Sequence, residues 1–168
     1  MSAIKKGLGP VVFTDPNILI LGTMPGDRSL ASAEYYAHPS NAFRKLLFEA
    51  HGERFSAGYD NFLDLLNRKH IALWNVIRSC TRHGSGDKAI GNVVPNDLLS
   101  FVASHETISM ICFESKKAAM LYDRYFPRQP DITYATLASA SALFAKMSYE
   151  QKLTQWKAVF DAASGEAT

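Results

Sequence analysis

The sequence predicts an α/β protein, a three-layer α/β/α sandwich around a central, mainly parallel four-stranded sheet. Four runs of strand length are apolar almost throughout: Asn17–Gly22 (NILILG), Ile71–Val76 (IALWNV), Ile108–Phe113 (ISMICF) and Ile132–Leu137 (ITYATL). Strands covered on both faces read this way, whereas half-exposed strands alternate. Helical periodicity fills the stretches between the runs, and strand–helix alternation favours a parallel sheet between two helical layers. The chain has 168 residues, 47% hydrophobic and 20% charged. That suits one ordinary globular domain, expected over 1–168 with its core at about 18–160.

The elements follow in order. After the first run, Asn41–His51 carries Phe43, Leu46, Leu47 and Ala50 on one helical face. Tyr59–Arg68 repeats the pattern with Phe62, Leu63, Leu65 and Leu66 before the second run. Asn96–Ala103 offers Leu98, Leu99 and Val102, and Ser115–Phe126 offers Ala118, Ala119, Leu121, Tyr122 and Tyr125. A last helix is predicted over Ser148–Phe160, where Ser148 followed by Gln151 forms a capping-box pattern.

Charge and cysteines remove several classes. Eighteen Lys and Arg against sixteen Asp and Glu leave +2, which excludes a histone-like polycation but not a local basic stripe. No apolar run is long enough to span a membrane, and the N-terminal segment lacks the apolar core of a secretion signal. A cytoplasmic protein is expected. Cys80 and Cys112 lack metal-ligand spacing and read as inert thiols, so neither a metal nor any other cofactor is expected.

In a sheet of this kind ligands bind beyond the carboxyl ends of the strands. The segments there are GTMPGDRSL, NVIRSCTRHGSGD, ESKKAA and ASASALFAK. The first has neither GxxxxGK[ST] nor GxGxxG, which argues against a P-loop or dinucleotide enzyme. It offers a tight turn at Gly22, Pro25 and Gly26, then SLASAEYYAHPSN ahead of a helix. Paired tyrosines beside His-Pro-Ser-Asn supply a stacking surface and hydrogen-bonding groups. Read locally, Ser40 or Asn41 caps the helix and the tyrosines pack in the core.

GTMPG followed by YYAHPSNAF resembles the uracil-DNA glycosylase superfamily, most closely its hypoxanthine-DNA (deoxyinosine) glycosylase branch. ALWNVIRSC with GSGDKAIGN resembles the second block of that family, and KMSYEQKLTQW the segment after its last motif. The likeness runs from about Ile18 to about Phe160. It implies a base-flipping enzyme of base excision repair that releases a deaminated base, hypoxanthine or uracil, by hydrolysis of the N-glycosidic bond. Such cleavage builds positive charge on the sugar and negative charge on the base. The protein contributes stacking, hydrogen bonds to the base edge and a positioned water.

Carried onto this chain, the resemblance makes Asn41 the catalytic candidate, orienting water or reading the base. Tyr36 takes the place of an aromatic that stacks on the flipped base, with Gly22, Met24, His38 and Tyr35 around it. Met24 stands where some branches carry Asp or Asn, leaving only backbone N–H groups to act there. Asn75, at the second strand end, either pairs bidentately with a base edge or is a buried amide tied to the backbone. Asp is usual there in the deoxyinosine branch and Asn in the uracil enzymes. Arg78 and Arg82, on one loop with His83 and Ser85, are phosphate-contact candidates.

Two later segments depart from the family pattern. Glu114-Ser115-Lys116-Lys117 replaces Asn-Gly-Lys, with Ser115, Lys116 and Lys117 left to hold phosphate. Ser139-Ala140-Ser141-Ala142-Leu143-Phe144 replaces a Ser-Thr-Ser-Pro-Ala-Asn type of loop. Ser139 and Ser141 are its phosphate candidates, and Leu143 or Phe144 its wedge into the base stack. Arg44 stands where relatives often carry Trp and supports its helix or reaches DNA. The expected partner is DNA containing a damaged base, bound by a monomer without metal or membrane. The rivals are a binding module of the same fold that does not cleave, and an enzyme acting on a small nucleoside or phosphate ester.

Overall fold

The computed structural model describes residues 3–165. In chain order the elements are β1 (Ile4–Lys6), β2 (Ile18–Gly22), α1 (Asp27–Ser32), α2 (Phe43–Ala50), α3 (Tyr59–Arg68), β3 (Ile71–Asn75) and β4 (Ile77–Thr81). A 3-10 turn at Asp87–Ala89 precedes β5 (Gly91–Pro95), α4 (Leu98–Ser104), β6 (Met110–Phe113), α5 (Lys116–Tyr125), β7 (Thr133–Thr136) and α6 (Tyr149–Ser164).

The four apolar runs become a parallel sheet in the order β3-β2-β6-β7. Side chains alternate across a strand, so each run feeds both faces. Ile18, Ile20, Ile71, Leu73, Met110 and Cys112 face α2, α3 and α6, meeting Leu46, Leu47, Phe62, Leu65, Trp156 and Phe160. Leu19, Leu21, Ala72, Ile111 and Phe113 face α4 and α5, meeting Leu98, Val102, Ala118, Leu121 and Tyr122. These are the three expected layers. Each Leu, Ile, Met or Phe among them contributes about 1.5–3 kcal/mol by leaving water.

The α6 capping box forms as the sequence indicates: Ser148 Oγ accepts from the Gln151 N–H, and Gln151 Oε1 accepts from the Ser148 N–H. Trp156 Nε1 donates to the Ala138 carbonyl at 2.8 Å, tying α6 to the end of β7. Both cysteines are buried and free, and burial pushes the Cys112 thiol up to about 12.

One part of the organisation differs from expectation. The segment after β3, read as a single loop, begins as β4 and pairs antiparallel with β1 and β5 in a second, three-stranded sheet. Ile77 and Cys80 are buried while Arg78 is exposed; register shifts against β5 break the two-residue alternation, and the strand runs on almost directly from β3. The short helix α1 inside the first segment was likewise unsignalled.

Candidate base-binding site

The parallel register builds a row across the carboxyl ends of three adjacent strands. Gly22 pairs with Asn75, and Leu21 pairs with Phe113, so Glu114 comes next to Gly22. The Glu114 N–H extends the ladder by donating to the Leu21 carbonyl at 2.9 Å. By alternation Asn75, Gly22 and Glu114 continue the face that carries Leu73, Ile20 and Cys112 one row deeper. The apolar face therefore ends in an amide, a glycine and a carboxyl.

Gly22 makes a notch between them. A Cβ there would lie 2.7 Å from Asn75 Nδ2 and 3.0 Å from the Tyr36 hydroxyl. Asn75 is only 4% exposed; its backbone carbonyl accepts from Asn96 Nδ2, but its side-chain Oδ1 has no partner among the described residues. The amide is thus buried without being tied to the backbone. An unpaired buried polar atom costs about 1–3 kcal/mol, and such atoms mark places where a ligand completes the bonding. The Thr23 hydroxyl, next in the chain and beside the Asp87 carboxyl, also lacks a partner of hydrogen-bonding geometry.

Tyr36 closes the notch. Its ring lies parallel to Phe43 with centroids 3.7 Å apart, and the Tyr35 ring is tilted 46° to it at 6.2 Å. Its φ of 54° is the left-handed region, where a bulky side chain is strained by about 1–3 kcal/mol. Burial pushes its hydroxyl well above the usual tyrosine range, with Glu114 adding to the effect. Burial, then the Asp87 charge, pushes Glu114 up to about 7. Asp87 is raised by burial, against the lowering pull of Arg82 and Lys117.

Asn41 stands at the start of α2. Its Oδ1 accepts from the Phe43 N–H at 2.9 Å, and its own N–H donates to the His38 carbonyl. The oxygen is therefore a cap, and the Nδ2 group is the part left for chemistry. The next residue, Ala42, donates its N–H to the Ala140 carbonyl, joining this turn to the Ser139–Phe144 loop. His38 is exposed, and its Nδ1 meets the Ser40 N–H and hydroxyl, so the ring orders its own turn. Tyr35 is tied to the Gly9 carbonyl through its hydroxyl, away from the notch. Arg44 supports this turn, donating twice to the Tyr35 carbonyl.

The Met24 side chain is buried with Leu21, Val76 and Ile77 on the opposite face, which leaves only its backbone at the turn, as the sequence indicates. One assignment needs correction. Arg82 is not a phosphate contact, since its side chain is 0% exposed. Its guanidinium donates to the Gly84 and Pro25 carbonyls and pairs with Asp27. Lys5 reaches the same Asp27 and Gly84, and Ser85 Oγ accepts from the Asp27 N–H. The second motif is thereby clamped onto the first turn. Asp27 is held below the usual carboxylate range by the Lys5 ammonium.

Arg78 on β4 and Lys116 at the start of α5 are exposed, while the Ser115 hydroxyl caps α5 through the Ala118 N–H. Ser139 Oγ accepts from the Ser141 N–H, and Ser141 Oγ from the Leu143 N–H, so both hydroxyls shape the last loop. Leu143 at its tip is 88% exposed, whereas Phe144 is half-buried with the Lys152 ammonium over its ring. The two wedge candidates are thus separated in favour of Leu143.

The sequence model of the Uracil DNA glycosylase superfamily matches residues 10–160, nearly the whole chain. The chain belongs to the uracil DNA glycosylase superfamily. Among relatives, a Hypoxanthine DNA glycosylase of Methanosarcina acetivorans is 33% identical over 160 residues, covering 94% of this chain and 98% of that protein. A protein of the same name from Methanosarcina barkeri is 32% identical over 158 residues, covering 93% and 98%. A solution NMR structure from M. acetivorans, described provisionally as a uracil DNA glycosylase, superposes with a TM-score of 0.82. It is 31% identical, over 96% of this chain and 99% of that one.

Three buried or half-buried charged residues around the candidate site were not singled out from the sequence. Glu114 stood in the sequence only as the first residue of the segment that replaces Asn-Gly-Lys, yet strand register turns it toward the notch. Asp87 sat unremarked inside GSGDKAIGN, where an acid in a short Gly-Ser loop was the available signal. Lys152 is 7% exposed, with its ammonium 3.3 Å from the Ser141 carbonyl and a pKa lowered by burial. Nothing in the α6 pattern announced it.

Proposed function

We propose that this DNA glycosylase removes deaminated bases, hypoxanthine or uracil, by monofunctional hydrolysis of the N-glycosidic bond. The observation that carries the reading is the buried Asn75 amide beside the Gly22 notch, whose oxygen has no partner among the described residues. In the orientation it has here, Nδ2 donates to a base carbonyl while Oδ1 accepts the adjacent ring N–H. Hypoxanthine and uracil both present that pair. Adenine and cytosine present the reverse order and need the amide turned over.

The Tyr36 ring, backed by Phe43, stacks on the flipped base, and the Asn41 Nδ2 group orients the attacking water. Asparagine is no strong base, so its contribution is positional. Leu143 enters the stack that the flipped nucleotide vacates, and Arg78, Lys116 and the Ser139–Ser141 turn meet the flanking phosphates. No lysine stands in the Asn75–Gly22–Glu114 row, which favours direct hydrolysis over a Schiff base. A second reading, a module that binds DNA or a nucleobase without cleaving it, draws on the Tyr36 hydroxyl lying in the notch.

Oligonucleotides carrying hypoxanthine, uracil, xanthine or mismatched thymine, scored for abasic product, decide between them. Asn41→Ala is expected to lower single-turnover release by about 10²–10³-fold, in the range for losing one preorganised polar group. Unchanged release removes Asn41 from the chemistry. Binding without an abasic product on any substrate supports the silent module.

A further inference from the structure

We propose that Glu114 is the proton donor to the departing base, its carboxylic acid standing across Gly22 from the Asn75 amide and hydrogen-bonding a base acceptor that Asn75 leaves free. This rests on the glycosylase reading above. The geometry comes from register: Asn75, Gly22 and Glu114 share a row and a face on three neighbouring strands. Strands about 4.8 Å apart place the outer two backbones about 10 Å from each other, the width of one ring with a hydrogen bond on either side. Gly22 leaves the floor between them open with Asn75 Nδ2 at its edge, and the oxygen of the same buried amide has no partner among the described residues. The Tyr36 hydroxyl lies there, and an entering base displaces it.

The surroundings keep the carboxyl in its acid form. Glu114 is 9% exposed and makes no ion pair among the described residues. Asp87, from the 3-10 turn before β5, brings a like charge, and Tyr36, from the segment between α1 and α2, brings a hydroxyl also raised by burial. Ser115, at the start of α5, offers the one opposing hydrogen bond. The cations on this side, Lys117 of α5 and Arg82 after β4, act on Asp87. Near pH 7 Glu114 is divided between acid and carboxylate.

In the reaction the bond from the sugar C1′ to the base nitrogen breaks and its electron pair goes to the base. The Glu114 proton passes to a ring nitrogen or carbonyl of the leaving base, such as N7 of hypoxanthine or O2 of uracil. Water then adds to C1′, and the proton it loses restores the Glu114 acid, so the cycle closes with abasic sugar and neutral base. Only the protonated acid acts as donor. Release therefore falls as pH rises through the Glu114 pKa.

The test is single-turnover release from hypoxanthine and uracil oligonucleotides between about pH 5.5 and about pH 8.5, for the parent, Glu114→Gln and Glu114→Asp. The parent is expected to lose about tenfold per pH unit above about 7, Glu114→Gln to be pH-independent and at least about tenfold slower at pH 6, and Glu114→Asp to regain an acid limb. A parent that releases base with no pH dependence, or a Glu114→Gln enzyme that keeps the parent profile, overturns the proposal and leaves the glycosylase reading standing. No release by the parent from either substrate at any pH overturns both. Thermal unfolding at pH 6 checks that Glu114→Gln folds. If it does not, the position of the Glu114→Asp limb decides: displaced from that of the parent it supports the donor role, unmoved it refutes it.

Discussion

The two ends of the parallel sheet make an instructive pair. At the amino ends lies an open cleft of about 810 Å³ lined by Asn17, His51, Lys69, Asp131 and Lys157 among others. At the carboxyl ends the Gly22 notch is filled by the Tyr36 hydroxyl. Volume alone points to the first, but chemistry points to the second. At the amino end His51 Nδ1 meets the Leu47 carbonyl and Lys69 pairs with Glu53. The carboxyl end buries an amide oxygen and a hydroxyl with no partner among the described residues, a raised carboxyl and a strained tyrosine. A site is marked by what its polar groups still lack, not by how much space surrounds them.

Gly22→Ala is expected to have the largest effect. Its Cβ pushes aside the Asn75 amide and the Tyr36 hydroxyl, both side-chain ends that can yield, so the fold survives while the base loses its reader. Release should drop by about 10²-fold or more with little change in melting temperature. Near-parental release after this substitution would shift attention to the amino-end cleft.

Glu114→Gln sharpens the contrast through stability. The folded pKa of Glu114 lies above its unfolded value, so the folded state holds the proton more tightly. Stability is lost as pH rises between about 4.5 and about 7, and the cost above that window reaches at most about 3 kcal/mol. At pH 8 the variant should be more stable to denaturant than the parent, and at pH 4 no more stable. Equal stability at both pH values would deny the burial cost.

Leu143→Ala tests the exposed tip. About tenfold weaker release from duplex substrate is expected, with a smaller loss on single strands, where no stack needs opening. An equal loss on both substrates would remove the wedge role. Lys157→Ala, in the amino-end cleft, is the smallest: release within about twofold of the parent, as for most surface substitutions. A large loss there would break the comparison outright.

The capping box at Ser148 and Gln151 and the four apolar runs were legible because local pattern decides them. The GTMPG and YYAHPSNAF motifs were legible because a tight turn followed by a capped helix is a contiguous unit. Asn41, Tyr36 and Asn75 were accordingly singled out from the chain alone. Arg82 was not readable, since an arginine in a Gly-Ser loop looks the same whether it meets solvent or braces Pro25 and Asp27. Leu143 and Phe144 likewise differ only once α6 brings Lys152 over one of them.

By itself, then, the sequence determined the alternation of strands and helices, the motif order and the residue types available for base chemistry. Tertiary structure decided which of those residues meet. Asn75, Gly22 and Glu114 belong to three strands joined by helical crossovers, and their shared row depends on register set by packing both faces of the sheet. A shift of one residue would turn either side chain to the opposite face. Local pattern specifies each strand but not its register against a neighbour far away in the chain. The notch therefore exists only in the assembled sheet.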